Sequence, residues 1–229
     1  MSRANMPAPK ILSFDLDGTL VDHSFSNAIW HEVVPGLVAQ KRGMALEEAK
    51  SWVFSQYQEV GEASLEWYDL GYWFERFGLR EDWREVLFRY RHLIRPFPEV
   101  RKVLESLAQR YPLMIVSNAS RAFIEVELSH KDFQGLQFFR IVSATSDWGQ
   151  VKKTGEFYRS LCEELGLDPA QVVHVGDHEE FDFLAPKEAG MAAYFLDRSG
   201  VATGDHVVRN LEEFSLKVMD GHWSPVGRR

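Results

Sequence analysis

Five short apolar runs, at residues 11–14, 113–116, 141–142, 172–175 and 192–196, each end at polar residues or glycine. Runs with so little polar alternation belong to strands covered on both faces, the usual condition of a parallel sheet. Between most of them the apolar spacing becomes helical. Val100, Val103, Leu104 and Leu107 form one stripe, and Tyr158, Leu161, Cys162 and Leu165 another. Strands alternating with amphipathic helices predict an α/β fold with a doubly wound, mostly parallel sheet. Ligands bind such sheets beyond the carboxyl ends of the strands, so the polar residues just past each run are where chemistry is expected.

Residues 22–94 break this alternation, with no strand-like run among them, and read as four successive helices. The stripes are Ile29, Val33, Val34 and Leu37; Leu46, Ala49, Val53 and Tyr57; Leu70, Trp73, Phe74 and Phe77; and Trp83, Val86, Leu87 and Tyr90. Gly43, Gly61 and Gly78 fall between them as breaks. Trp30, Trp52, Trp67, Trp73 and Trp83 lie in this interval, and the plainest reading is that most of them fill a small helical core. The expected organisation is therefore an α/β core at residues 1–21 and 95–229, interrupted by a helical domain at 22–94.

A chain of 229 residues, 45% hydrophobic and 26% charged, can bury such a core without disulfides. Its single cysteine, Cys162, allows no internal bridge and fits a reducing, cytoplasmic setting. Residues 1–10 are polar and contain no apolar signal core, and no apolar run is long enough to span a bilayer, so a soluble protein is expected. The net charge of -8, with no basic block, argues against a nucleic-acid partner. An acidic chain that binds an anion must supply positive charge locally, through a metal ion, a lysine or a helix N-terminus.

Past the first strand stands Asp15-Leu16-Asp17-Gly18-Thr19. Residues two apart on a strand point to one side, so both carboxylates can reach one pocket at its end. Two carboxylates that close repel unless a cation or a shared proton holds them. The run ending at Val116 leads into Ser117-Asn118, small polar groups suited to phosphate oxygens. The run ending at Val175 leads into Gly176-Asp177, with Asp182 five residues on. Lys152 and Lys153 precede the helix that starts near Glu156. Each feature alone is commonly a turn, a cap or a solvated face. Together they supply a nucleophile, an acid/base, hydroxyl donors, a cation and metal-binding carboxylates.

In this order, these motifs resemble the haloacid dehalogenase superfamily, specifically its phosphatase branch with an α-helical cap, similar to phosphoglycolate phosphatases. The resemblance implies a magnesium-dependent phosphomonoester hydrolase of a small phosphorylated metabolite, such as a phosphoglycolate-like acid, a sugar phosphate or a nucleotide. By resemblance, Asp15 attacks phosphorus to give an aspartyl-phosphate, while Asp17 protonates the leaving group and then activates water. It implies Mg2+ on Asp15, Asp177 and the main-chain carbonyl of Asp17. Ser117, Asn118 and a lysine are expected on the phosphoryl oxygens, with Asp182 orienting neighbours or a metal-bound water. The family's lysine is typically followed by proline, whereas here it is followed by Thr154 or by a second lysine. Counting back from Tyr158 selects Lys152; anchoring on Phe157 would not. His178, Glu179 and Glu180 are larger or more charged than is usual at their positions, and His178 is left outside the site. The helical domain corresponds to the cap, expected to move over the site and to govern substrate choice. Asp22, His23, Ser24 and Trp30 enter it close to the nucleophile. The rival readings are a 2-haloacid dehalogenase and a non-catalytic binding protein on the same fold. By resemblance, dehalogenases lack an aspartate at the position of Asp17.

Overall fold

The computed structural model describes residues 11–221 and Trp223. Residues 1–10, read above as polar and without a signal core, lie outside the described residues. Six strands, β1 (Ile11–Phe14), β2 (Leu113–Ser117), β3 (Phe138–Ser143), β4 (Val172–Gly176), β5 (Ala192–Leu196) and β6 (Val207–Val208), form one sheet in the order β3-β2-β1-β4-β5-β6. Every neighbouring pair is parallel. The strand order reverses at β1, which lies between β2 and β4, so a crevice opens past the carboxyl ends of these strands.

The expected doubly wound sheet is present. Side chains of β1 and β2 alternate between its two faces. Leu12, Phe14, Leu113 and Ile115 join one apolar layer, and Ile11, Met114 and Val116 the other. Two differences follow from local sequence. β3 begins three residues earlier than the run at 141–142, because Phe138, Phe139 and Arg140 lie on the open sheet edge and need no apolar continuity. β6 is only two residues long and offers no periodicity to read.

The helices are α1 (Ser24–Ala28), α2 (Val34–Arg42), α3 (Leu46–Val60), α4 (Leu70–Phe77), α5 (Trp83–Arg89), α6 (Val100–Ala108), α7 (Arg121–Leu128), α8 (Ala144–Trp148), α9 (Gly155–Glu164), α10 (Ala185–Glu188) and α11 (Leu211–Met219). α1 to α5 all lie between β1 and β2, so the insertion is helical as expected. Its first helix is longer than its stripe suggested: α1 runs into α2 through a π-helical turn at Ile29–Val33. A second π-helical turn, Glu179–Leu184, leads into α10. Each turn is followed two residues later by a proline, Pro35 and Pro186. Proline has no N–H for the i−4 carbonyl and its ring crowds it, so a widened turn is the local remedy.

The chain enters and leaves the helical insertion side by side. Val21 bridges antiparallel to Pro96, Asp22 N–H donates to the Arg95 carbonyl at 2.9 Å, and Phe97 N–H donates to that of Leu20 at 3.1 Å. Inside the insertion, Leu70, Trp73, Phe74 and Phe77 of α4 are all buried. On α3 the buried face is Ala49, Val53 and Tyr57, while Leu46, expected on that stripe, is exposed at the first helical position. Tyr57 packs edge-on against Trp73 with ring centres 4.6 Å apart, and Trp30 and Trp67 flank it at 6.0 Å each. No helix among the described residues is long and apolar enough to cross a membrane.

Candidate active site

Asp15 is the first residue past β1, and register fixes it. Phe14 pairs with Val175 of β4, and the Asp15 N–H donates to the Val175 carbonyl at 3.0 Å. Its carboxylate accepts from Lys153 Nζ at 2.6 Å; the same ammonium reaches Asp182 Oδ1 at 2.5 Å and the Val116 carbonyl at 3.2 Å. Lys153 is 2% exposed and Asp15 6%. The lysine register expected from Tyr158 is therefore corrected by one residue. Thr154 caps α9, its side chain accepting the Phe157 N–H, which turns the preceding Lys153 inward beneath the strand ends. Lys152 points outward and is exposed, its ammonium 5.8 Å from the ring centre of Phe181.

Two glycines let carboxylates approach this point. Gly18 has φ of 77°, and a Cβ there would sit 2.0 Å from Asp177 Oδ2. A Cβ on Gly176 would lie 2.4 Å from Asp182 Cγ. With both absent, carboxylate oxygens of Asp15, Asp177 and Asp182 gather within 4.8 Å of one another. Asp182, expected in a supporting role, also accepts from the His178 N–H at 3.1 Å and lies 3.2 Å from His174 Nε2. His178 contributes this main-chain contact while its ring stacks on Phe181.

Three acidic groups around one ammonium leave negative charge in excess. Burial is the main influence on Asp15 and, with Asp182 and Asp177 nearby, outweighs Lys153 and holds its carboxyl well above the ordinary range. Burial acts the same way on Asp182, but Lys153 and His174 overcome it and keep that carboxylate ionised. Although the two share Lys153 almost equally by distance, Asp182 has the additional donors, so it holds its charge first. A divalent cation among these oxygens would restore the ionised form of Asp15, and all-oxygen ligands suit Mg2+. The donor set fits that ion.

Ser117 is buried at the end of β2, its Oγ accepting the Ala119 N–H at 3.0 Å. Asn118 donates to the Val151 carbonyl at 3.3 Å, while its Oδ1, like Thr19 Oγ1 and Asp17 Oδ1, is buried without a hydrogen-bond partner among the described residues. Asp17 and Asn118 both line a cavity of about 280 Å3 whose other walls include Trp30, Tyr57 and Tyr68. His23 stands at this cavity with Nε2 3.7 Å from Asp177 Oδ2. Interaction with Asp177 raises its imidazole above the ordinary value, and Asp17 and Asp15 add to this.

Glu127 and His174 escaped the reading of motifs. His174 sits inside the run at 172–175, fully buried, with Nδ1 2.8 Å from Ser13 Oγ. Glu127 is also fully buried, and among the described residues neither of its oxygens meets a donor. The available signal is spacing: Glu127 lies four residues after Phe123 and three after Ile124, both on the buried face of α7. Asp17 is near enough to act on its carboxyl. Burial first, and Asp17 next, push Glu127 well above the ordinary carboxylate range. An acid whose folded value is raised binds a proton more tightly when folded, so stability is lost as pH rises from its unfolded value toward its folded one. Glu127→Gln keeps a donor and cannot ionise. Above about pH 4.3 the parent is expected to lose stability relative to this variant, as read by urea denaturation across a pH series. Parallel curves for the two proteins would contradict this environment for Glu127.

A family model for haloacid dehalogenase-like hydrolase matches residues 9–190. GMP/IMP nucleotidase YrfG of Escherichia coli (strain K12) is 29% identical over 169 residues, which cover 72% of each chain. Phosphoglycolate phosphatase of Aquifex aeolicus (strain VF5) is 26% identical over 229 residues, covering 93% of this chain and 98% of that one. Among solved structures, a HAD phosphatase from Thermococcus onnurineus is similar with a TM-score of 0.77 at 26% identity, covering 95% of this chain and 100% of the other. The motifs, the switch-point crevice and the matched span agree: the chain belongs to the haloacid dehalogenase-like hydrolases.

Proposed function

We propose that this hydrolase releases phosphate from small phosphomonoesters through an aspartyl-phosphate formed on Asp15. The observation that carries the reading is the pair of acids at the end of β1, one on Lys153 and the other lining the cavity. The Asp15 carboxylate attacks phosphorus as the ester oxygen leaves. Asp17 passes that oxygen a proton, then takes one from the water that cleaves the acyl phosphate, and phosphate departs with Asp15 regenerated. Burial raises the Asp17 carboxyl above its ordinary value, which favours the protonated form needed for the first step. Lys153, Ser117 and Asn118 line the approach to the phosphoryl oxygens. Asp15, Asp177 and the main-chain carbonyl of Asp17 would hold Mg2+, with Asp182 steadying Lys153. When bound, the ion neutralises charge shared by the carboxylates and the phosphoryl group.

Residues 22–94 act as a cap over a core of residues 1–21 and 95–229, a division supported by the paired crossing at Val21 and Pro96. The protein works on soluble metabolites in the cytoplasm. Both curated relatives are named for small phosphorylated substrates, which supports the substrate size.

The test supplies a generic phosphate ester and a 2-haloacid separately, each with Mg2+ and after chelation. Phosphate release that falls at least about a hundredfold on chelation is expected, with no halide released. Halide release without phosphatase activity would overturn the assignment, and undiminished hydrolysis after chelation would overturn the metal role of Asp15 and Asp177.

A further inference from the structure

The cavity beside Asp17 is built mostly from aromatic rings. Trp30, Tyr57, Trp67, Tyr68 and Phe123 line it, and several of them fix one another. Trp30 lies parallel to Phe123, with centres 5.4 Å apart and planes 9° apart. Tyr57 meets Trp30 edge-on and Trp67 at 61°. The Tyr57 hydroxyl donates to the Trp30 carbonyl at 3.3 Å, and the Tyr68 hydroxyl donates to that of Glu62 at 3.3 Å. Both phenols are thereby tied to the main chain. Such walls are pre-organised for a flat partner, because little side-chain freedom remains to be lost on binding. At about 280 Å3 the cavity falls just below the usual range of ligand sites, roughly 300 to 1,000 Å3.

Charge narrows the partner further. Among the described residues, no lysine or arginine lines the cavity. Of its two histidines, His23 faces the Asp177 carboxylate and His31 stands edge-on to Phe54. The arginines of the neighbouring cavity are Arg84 and Arg121; Arg121 is ion-paired with Asp147, and Arg84 lies over the Trp83 ring. A leaving group carrying its own carboxylate would have to compete with Asp177 for the His23 imidazole. A neutral ring would find aromatic faces, with Ser26, Ser120 and Asn118 to meet polar atoms on its edge.

Resting on the phosphomonoesterase reading, we propose that the cavity binds an uncharged heteroaromatic leaving group, so that the preferred substrates are nucleoside 5′-monophosphates over small phosphorylated acids. The phosphate would sit at Asp15, the sugar at Asp17 and Asn118, and the base among Trp30, Trp67 and Tyr68.

Ribose 5-phosphate is the informative comparison, since it keeps the phosphate and sugar and lacks only the base. With the Mg2+-loaded protein, kcat/KM is measured for it, for adenosine and guanosine 5′-monophosphates, and for 2-phosphoglycolate. The better nucleotide is expected to exceed ribose 5-phosphate by about tenfold to a hundredfold, the range that base–aromatic stacking supplies. Trp67→Ala is expected to shrink that ratio at least about fivefold, and Trp67→Phe to restore most of it. Hydrolysis of all four substrates with similar efficiency, or a preference for 2-phosphoglycolate, overturns this inference and leaves the phosphomonoesterase reading intact. A ratio unmoved by Trp67→Ala also overturns it. Release of phosphate from none of them overturns both.

Discussion

Asp15→Asn is expected to lose at least about ten-thousandfold in kcat on any phosphate ester while folding as well as the parent. An amide cannot attack phosphorus, and no other carboxylate in the site shares the position of Asp15 at the tip of β1. Asp17 faces the cavity, and Asp182 is held by Lys153, by the His178 N–H and by His174. The fold should survive because asparagine is isosteric and its carbonyl oxygen can still accept from Lys153. Burial raises the Asp15 carboxyl, so removing the charge relieves a cost that the apo protein bears at neutral pH. Activity within tenfold of the parent, in a variant with parental far-ultraviolet circular dichroism and denaturation midpoint, would remove Asp15 from the mechanism.

The largest stability effect should come from Lys153→Ala. Lys153 Nζ is shared by Asp15 and Asp182 in the interior, at 2.6 and 2.5 Å. Its burial disfavours the charged form, but the two carboxylates outweigh that and keep it protonated. Truncation leaves two carboxylates facing each other in a buried site, a change that costs about 3–5 kcal/mol for a broken buried pair. It also vacates the volume of a long side chain. Turnover should fall with it if the proposed phosphoryl site uses this buried ammonium. Lys152→Ala is exposed and away from this network, so it should change stability by no more than about 0.5 kcal/mol. Urea denaturation of the two variants side by side checks both values. Equal destabilisation, or a larger loss for Lys152→Ala, would contradict the ion-pair geometry.

Most of the fold was legible because it rests on periodicity. The buried strands of a parallel sheet carry unbroken apolar runs, and α4 showed its buried face residue by residue. What escaped were features that periodicity does not govern. β6 has too few residues to carry a pattern, and the start of β3 lies on an open edge where exposed residues are tolerated. Leu46 follows the stripe of α3 but sits at its first turn, beyond the reach of the core. The π-helical turns precede Pro35 and Pro186, and a proline in the sequence does not say whether the helix there widens, kinks or stops.

For the site, the order of motifs at strand ends was enough to bring Asp15, Asp177 and Asp182 together. Choosing between Lys152 and Lys153 was different, since it depended on which residue caps α9. Thr154 does so, and a threonine followed three residues later by the first buried aromatic of the helix was a usable N-cap signal. Glu127 shows the reverse limit. Its place on the inner face of α7 could be counted from Phe123, but nothing in the sequence says that the face meets Asp17 across the crevice.

The aspartyl-phosphate proposed on Asp15 can be trapped chemically. The direct measurement is to quench the Mg2+-loaded protein during turnover of a phosphate ester, reduce it with borohydride and sequence its peptides by mass spectrometry. Reduction converts an aspartyl-phosphate to homoserine and leaves free aspartate unchanged. Homoserine is expected at position 15 and at no other aspartate, and it should be missing from Asp15→Asn treated in the same way. Homoserine at another aspartate, with Asp15 unmodified in actively turning-over protein, would contradict phosphoryl transfer to Asp15.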